Sequence, residues 1–147
     1  MPSTLKSASV YLRRGFYYVH PLAGSGGGDP ALFMEPVVKL QESVDAAALG
    51  ECVLEALKRS HHNAPWPKIW KDFTAPLLRE AGVKSETAFT RGAKYVRVNL
   101  DGGAVTLVTS TSKKYKNAAA PLGEIKFALG DARELGLKLV EGLAASD

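Results

Sequence analysis

Hydrophobic residues recur at the spacing of an α-helix in two separate segments of the chain. In residues 45–57, Leu49, Val53 and Leu57 fall at every fourth position, which places them on one face of a helix. Residues 131–143 show the same spacing. Each segment begins with an aspartate, whose carboxylate can accept hydrogen bonds from the free backbone N–H groups of a first helical turn. The pattern therefore predicts two similar helices, one in the middle of the chain and one near its end.

The two predicted helices also share a glycine and a preceding strand. A shift of 86 positions carries Gly50 onto Gly136, each directly after a leucine. Short apolar stretches with a central lysine precede both helices, at residues 38–40 and 125–127. Glycine within a helix costs about 1 kcal/mol relative to alanine, so it is expected where the helix backbone comes close to a sheet, another helix or a ligand. We predict a duplicated strand–helix unit, with both helices packed on the sheet through their leucine and glycine faces.

Other segments alternate between apolar and polar residues, as strands with one buried face do. The clearest is residues 94–100, where Val96, Val98 and Leu100 share one face. The Asp101-Gly102 pair that follows is a signal for a type I′ hairpin turn. Further strands are predicted for residues 8–19, 36–40, 104–110 and 124–130. These elements predict one α/β or α+β domain over residues 1–147, with a central, mostly antiparallel sheet of about five or six strands and packed helices.

Glycine and proline interrupt two other parts of the chain. The glycine-rich residues 23–29 lack the Gly-Lys-Ser/Thr ending of a phosphate-binding loop, so we predict a plain flexible loop there. In residues 66–82, helical spacing is interrupted by Pro76. Because proline removes a helical hydrogen bond, we predict a break near Thr74 and a second short helix that ends at Gly82.

Composition and charge restrict the possible classes of function but do not identify one. The 147 residues are 46% hydrophobic and 23% charged, which is typical of soluble globular proteins. The 19 Lys and Arg exceed the 15 Asp and Glu, so an acidic partner or nucleic acid is compatible with the charge. The single cysteine excludes an internal disulfide and suits a reducing compartment. Neither a signal peptide nor a membrane span is predicted, so we expect a cytoplasmic location.

No motif in the sequence predicts catalysis, and we expect no enzyme activity, metal or cofactor. His61 and His62 are adjacent, and adjacent side chains point in different directions, which makes a poor chelate. The third histidine, His20, lies far away in sequence. Cys52 falls beside the apolar face of the first predicted helix, so we expect it to be a small core residue and not a nucleophile.

The order of these features resembles a known family. A tyrosine-rich first strand, the strand–Asp–Leu-Gly–helix unit, its return at the C-terminus and Gly-Val-Lys-Ser at residues 82–85 resemble the cytoplasmic immunity proteins of bacterial contact-dependent growth inhibition (CDI) systems. The resemblance covers residues 8–145. It implies a protein that binds one cognate toxin domain, usually a nuclease, as a heterodimer and blocks it. From the residues themselves we expect no membrane partner, and we favour a solvated loop over nucleic-acid binding for the basic residues.

Two segments combine aromatic and basic residues and are our sequence-based candidates for the toxin contact. Aromatic side chains supply buried area at interfaces, and lysines attract an acidic partner. The candidates are Trp66, Lys68, Lys113, Lys114 and Tyr115. The alternative is a small basic nucleic-acid-binding protein that uses the same lysines. Binding to phosphates should weaken steeply between about 50 and 200 mM salt, which separates the two hypotheses.

Overall fold

The computed structural model describes residues 5–24, 32–34, 36–61, 75–85, 88–89, 93–111 and 120–145. Seven strands and three helices of seven or more residues occur in these ranges. They are β1 (Lys6–Arg13), β2 (Phe16–Ala23), β3 (Leu32–Phe33), β4 (Val38–Gln41), α1 (Ala46–Arg59), α2 (Ala75–Ala81), β5 (Ala93–Asp101), β6 (Ala104–Thr111), β7 (Ala120–Ala128) and α3 (Ala132–Ala145).

All seven strands of the described ranges pair antiparallel in one sheet. Six of them lie side by side in the order β3–β2–β1–β5–β6–β7, and the short β4 pairs with β2 beside β3. The predicted α+β class with a mostly antiparallel sheet is therefore confirmed. β7 begins at Ala120, four residues before the predicted start, because its pairing with β6 continues past an irregularity at Thr109/Ser110.

The hairpin between β5 and β6 turns one residue later than the sequence signal indicated. Asp101 pairs with Ala104 as the last rung of the ladder, and the turn residues are Gly102 and Gly103, with φ angles of 64° and 109°. A type I′ turn requires positive φ at both central residues. Two glycines adopt these angles without a steric penalty, whereas an aspartate at the first position would not, so the glycine pair takes the turn.

One face of the sheet is covered by α1 and α3. The alternation predicted in residues 94–100 is confirmed, since Val96 and Val98 are fully buried on this face. Gly142 of α3 lies directly over the sheet, where an added Cβ would be 3.4 Å from a methyl of Val96. The core between the helices and this face consists of Ala8, Val10, Tyr17, Val19, Leu49, Val53, Ala56, Leu57, Val96, Val98, Val105, Leu107, Leu135, Leu139 and Leu143.

The glycines of the two Leu-Gly steps meet the opposite helix and not the sheet. A Cβ added to Gly50 would overlap the carbonyl group of Ala132, at 2.6 Å from its carbon. A Cβ added to Gly136 would overlap the carbonyl group of Ala46 in the same way. The two contacts are reciprocal, because the shift of 86 positions that relates the glycines also relates the alanines. Of the partners expected for these glycines, another helix is therefore the one that the structure contains.

The strands that precede the two helices are less alike than the helices. β4 has four residues and pairs with β2, whereas β7 has nine residues and pairs with β6. The similarity thus extends over the two helices, of 14 residues each, and their contact. A duplicated strand–helix unit stays a prediction.

Both predicted aspartate caps are present. Asp45 accepts a hydrogen bond from the backbone N–H of Ala48 at 2.8 Å, and Asp131 accepts one from Glu134 at 2.8 Å. Each bond satisfies a backbone donor that has no partner within its own helix. The starts of α1 and α3 are therefore determined by local chemistry.

The end of α1 is attached to the sheet through Ser60. Its buried hydroxyl accepts from the backbone N–H of Ser7 at 3.0 Å and donates to the carbonyl of Leu22 at 2.7 Å. One side chain thus links the C-terminus of α1 to both β1 and β2. The helix is held in place over the central strands as a result.

The second short helix, predicted to end at Gly82, is confirmed as α2, which includes Pro76 in its first turn. It ends before Gly82, whose φ of 70° is favourable only for glycine. Residues 62–74, including the predicted break near Thr74, lie outside the described part of the chain, as do residues 25–30 of the glycine-rich loop. None of the helices in the described ranges is long and apolar enough to cross a membrane.

Candidate functional site

The second face of the sheet carries aromatic and polar side chains in place of aliphatic ones. It is formed by the residues that alternate with the core positions on β1, β2 and β5. Its β2 side is covered by α2 and by the helical turn at residues 88–89, with Leu77 and Phe89 buried. Its β5 side carries Tyr95, Arg97 and Asn99. This face therefore divides into an aromatic cluster and a polar strip.

The aromatic cluster is packed around Phe89. The ring of Phe89 lies edge-on to Tyr11 at 4.9 Å and to Tyr18 at 5.6 Å, measured between centroids. Tyr11 also contacts Tyr95, at 4.7 Å, which connects the cluster to the polar strip. Edge-to-face ring pairs add to the stabilisation from buried area. The cluster is a second, smaller core that holds α2 against the sheet.

His20 is buried within this cluster and is neutral at physiological pH. Its side chain is 2% exposed and lies 4.3 Å from the ring of Phe33. Nδ1 donates a hydrogen bond to the carbonyl of Pro21 at 2.9 Å, and Nε2 has no partner in the described part of the chain. Burial lowers the pKa of His20 to about 4, and the Pro21 hydrogen bond opposes this only partly. His20 therefore packs in this cluster as a buried, neutral ring.

Arg13 places a positive charge at the edge of the same cluster. The residue is 5% exposed, and its guanidinium carbon lies 5.8 Å from the centroid of Phe89. Within the described ranges its Nε atom has no hydrogen-bond partner. Contact of a guanidinium with the face of an aromatic ring is favourable. Arg13 thus packs as part of the cluster and is not presented as a surface charge.

The polar strip is a set of hydrogen-bonded side chains on the two central strands, β1 and β5. The Ser7 hydroxyl donates to Oδ1 of Asn99 at 2.6 Å, and Nε of Arg97 donates to the same oxygen at 3.0 Å. The Ser9 hydroxyl and the Tyr95 hydroxyl are 3.0 Å apart. We use the term polar strip for these five residues: Ser7, Ser9, Tyr95, Arg97 and Asn99.

These hydrogen bonds fix the orientation of the two large side chains in the strip. Burial raises the pKa of Tyr95, while the Ser9 hydrogen bond and the charge of Arg97 act in the opposite direction. The phenol therefore keeps its proton and can bond to Ser9. Arg97 is held through Nε by Asn99, so its guanidinium has a defined direction. Ser7 and Ser9 are buried, at 0% and 1% exposed, whereas the β5 residues of the strip are partly exposed, so a partner would meet Arg97 and Asn99 and not the serines. Side chains that are ordered before binding lose less entropy when a partner binds.

Two clefts lie beside Pro36, near the side of the sheet where β4 pairs with β2. One has a volume of about 400 Å³ and is lined by Pro36, Val37, Pro76, Arg79 and Glu80. The other has a volume of about 240 Å³ and is lined by Val19, Pro21, Pro36, Val38, Cys52, Glu55, Ala56 and Arg59. Burial raises the pKa of Cys52 to about 11, so its thiol stays protonated, and the residue packs against the core. No group of three metal-ligating side chains occurs in the described residues.

The sequence-based candidates for the toxin contact cannot be placed on this surface. Trp66, Lys68, Lys113, Lys114 and Tyr115 all lie outside the described residues. The polar strip was not among those candidates. The signal was nevertheless present in the sequence, because the polar positions of residues 94–100 alternate with fully buried ones. Which residues of β1 they would meet could not be deduced from that alternation.

The fold is that of a small α+β protein, with an antiparallel sheet that carries two long helices on one face and aromatic and polar side chains on the other. A family model described as "CdiI: CDI immunity protein" matches residues 6–120. The chain therefore belongs to the CDI immunity protein family, as the sequence resemblance predicted.

Two solved structures share the fold. A protein of unknown function from Neisseria meningitidis is similar with a TM-score of 0.80 and 18% identity, over 100% of this chain and 98% of that chain. A chain of the CdiA-CT/CdiI toxin and immunity complex from Yersinia pseudotuberculosis is similar with a TM-score of 0.79 and 15% identity, over 98% of each chain. No curated protein matches the sequence.

Proposed function

We propose that this protein binds the toxin domain of its own CDI system in the cytoplasm and neutralises it by forming a heterodimer. The observation that carries the proposal is the family match over residues 6–120. The similar fold found in the Yersinia pseudotuberculosis toxin and immunity complex supports it. The protein acts by occupying the toxin surface and not by catalysis, and the toxin is a nuclease.

Co-expression with the toxin domain tests this function directly. The toxin domain of the same CDI system is produced with and without this protein, and cell survival and co-purification are measured. We expect survival and a stable complex only when both proteins are present. A toxin domain that neither co-purifies with this protein nor is neutralised by it would refute the proposal.

Within this function, we propose the partly exposed β5 residues of the polar strip, Arg97 above all, as part of the toxin contact. Tyr and Arg are over-represented among the residues that contribute most to protein interfaces. Tyr95 and Arg97 are both supported by neighbouring side chains on the sheet, through Ser9 and Asn99. A rigid guanidinium is suited to a carboxylate of the partner, which it can bind through two parallel hydrogen bonds. An acidic toxin surface is also consistent with the excess of basic residues.

Replacing Arg97 with glutamine tests the strip. We expect the affinity for the toxin domain to fall by about tenfold or more, because a charge-assisted contact contributes roughly 1.5–3 kcal/mol. Folding should change little, since Asn99 still accepts a hydrogen bond from Ser7. Affinity is measured by titration calorimetry and stability by thermal unfolding. Lys58→Gln makes the same charge change on an exposed residue of α1, on the opposite side of the sheet. Equal affinities for wild type and Arg97→Gln would exclude Arg97 from the contact.

The two lysines at 113 and 114 remain the second proposed contact, on sequence grounds alone. Replacing both with glutamate should slow association with the toxin domain, most strongly at low salt, because surface charges act mainly on the rate of encounter. The melting temperature should stay the same. Association rates are measured by stopped flow at several salt concentrations. If the double variant associates at the wild-type rate and protects cells equally well, these lysines do not contact the toxin.

A further inference from the structure

Helix α3 presents apolar side chains to solvent on the face opposite the core. Leu137 is 50% exposed and Val140 is 46% exposed, the two largest values among the exposed large hydrophobic residues of the described chain. They lie three positions apart and so share one face of the helix. We call this the outer face of α3, and it consists of Arg133, Leu137, Val140, Glu141 and Ala144.

Comparison with α1 indicates that an apolar residue at the position of Leu137 is not required for folding. The two helices make the same reciprocal glycine contact and are related by the shift of 86 positions. At the positions of α1 that correspond to Leu137 and Ala144, the chain has Glu51 and Lys58, both exposed. Val140 corresponds to Leu54, which is apolar and packs against the core. α1 is thus polar at two of the three positions where the outer face of α3 is apolar.

The charges on the outer face are complementary to themselves. Arg133 lies four residues before Leu137, and Glu141 lies four residues after it, so all three share one face. If two α3 helices pack antiparallel with Leu137 at the centre, Arg133 of each copy lies opposite Glu141 of the other. Glu141 is 62% exposed in its side chain and its pairing with Lys138 at 3.8 Å is a weak surface contact, so it is available for this exchange.

We propose that the outer face of α3 binds a second copy of this protein in a symmetric dimer. The contact is isologous: the same patch is used by both copies, with Leu137 and Val140 at its centre and two equivalent Arg133–Glu141 pairs at its ends. A helix of 14 residues is about 21 Å long, so the contact is small and the dimer forms only at high protein concentration.

Sedimentation equilibrium of the full chain tests the dimer. Between about 5 and 300 µM, a range around a micromolar dissociation constant, the mean mass of wild type should rise from 15.7 kDa toward twice that value. Leu137→Glu, which copies the residue of α1, should remain monomeric throughout, with unchanged circular dichroism. A wild-type mass of 15.7 kDa at every concentration overturns the proposal.

Charge exchange tests the antiparallel geometry. Arg133→Glu and Glu141→Arg should each weaken dimerisation by about threefold or more, since both symmetry-related pairs become repulsive. The double variant, which restores opposite charges in both pairs, should recover the wild-type dissociation constant. Glu51→Arg on α1 is the matched control and should have no effect. If the double variant fails to recover, or if Leu137→Glu still dimerises, a second copy does not bind this face as proposed.

Discussion

Replacing Gly136 with alanine is expected to destabilise the protein by about 3 kcal/mol, although the same change in an ordinary helix stabilises it by about 1 kcal/mol. The new methyl group would overlap the carbonyl group of Ala46, which belongs to the backbone of α1. A flexible side chain could rotate away, but a helical backbone cannot. α1 and α3 would have to separate, and the leucines buried between them would lose contacts. Urea unfolding of wild type and variant measures the difference.

Other glycines provide the controls for this experiment. Gly142→Ala lies in the same helix, and its Cβ would be 3.4 Å from a side-chain methyl of Val96, so we expect wild-type stability or better. Gly50→Ala should lose as much stability as Gly136→Ala, because Gly50 makes the reciprocal contact with Ala132. The double variant should lose less than the sum, since one separation of the helices relieves both overlaps. Unchanged stability of Gly136→Ala would show that the helices are not in backbone contact.

The free energy of unfolding is expected to fall by about 3 kcal/mol between pH 7 and pH 4, because of His20. The pKa of His20 is lowered from 6.5 to about 4 by burial. Between these values the unfolded chain binds one proton more than the folded chain, so stability rises with pH in this window. The stability that comes from keeping His20 neutral is fully present above pH 6.5 and is lost as the pH falls to 4. Urea unfolding at a series of pH values measures it.

His20→Phe should remove most of this pH dependence. Phenylalanine can keep the ring contacts with Tyr11 and Phe33. The carbonyl of Pro21 keeps a hydrogen bond from the backbone N–H of Met34 at 3.1 Å, so it is not left without a donor. If His20→Phe and wild type lose equal stability on acidification, His20 is not the group responsible.

Local patterns in the sequence determined the elements of this fold. The four-residue spacing of leucines and valines predicted α1 and α3, and the aspartates predicted their first residues to within one position. The alternation in residues 94–100 predicted which side of β5 is buried. Such predictions succeed because helical hydrogen bonds, caps and strand alternation depend on residues that are a few positions apart.

Only the tertiary structure decided which of these elements meet. The sequence indicated that Gly50 and Gly136 are close to something, but the partner of each is a backbone 82 or more positions away, and periodicity contains no information about it. The same holds for the polar strip, where Ser7 and Ser9 of β1 meet Asn99 and Tyr95 across 92 and 86 positions. The order of strands in the sheet and the packing of the helices on it bring these side chains together. The sequence determines which chemical groups these side chains carry. Which of the groups come into contact depends on how the whole chain packs to exclude water from its core.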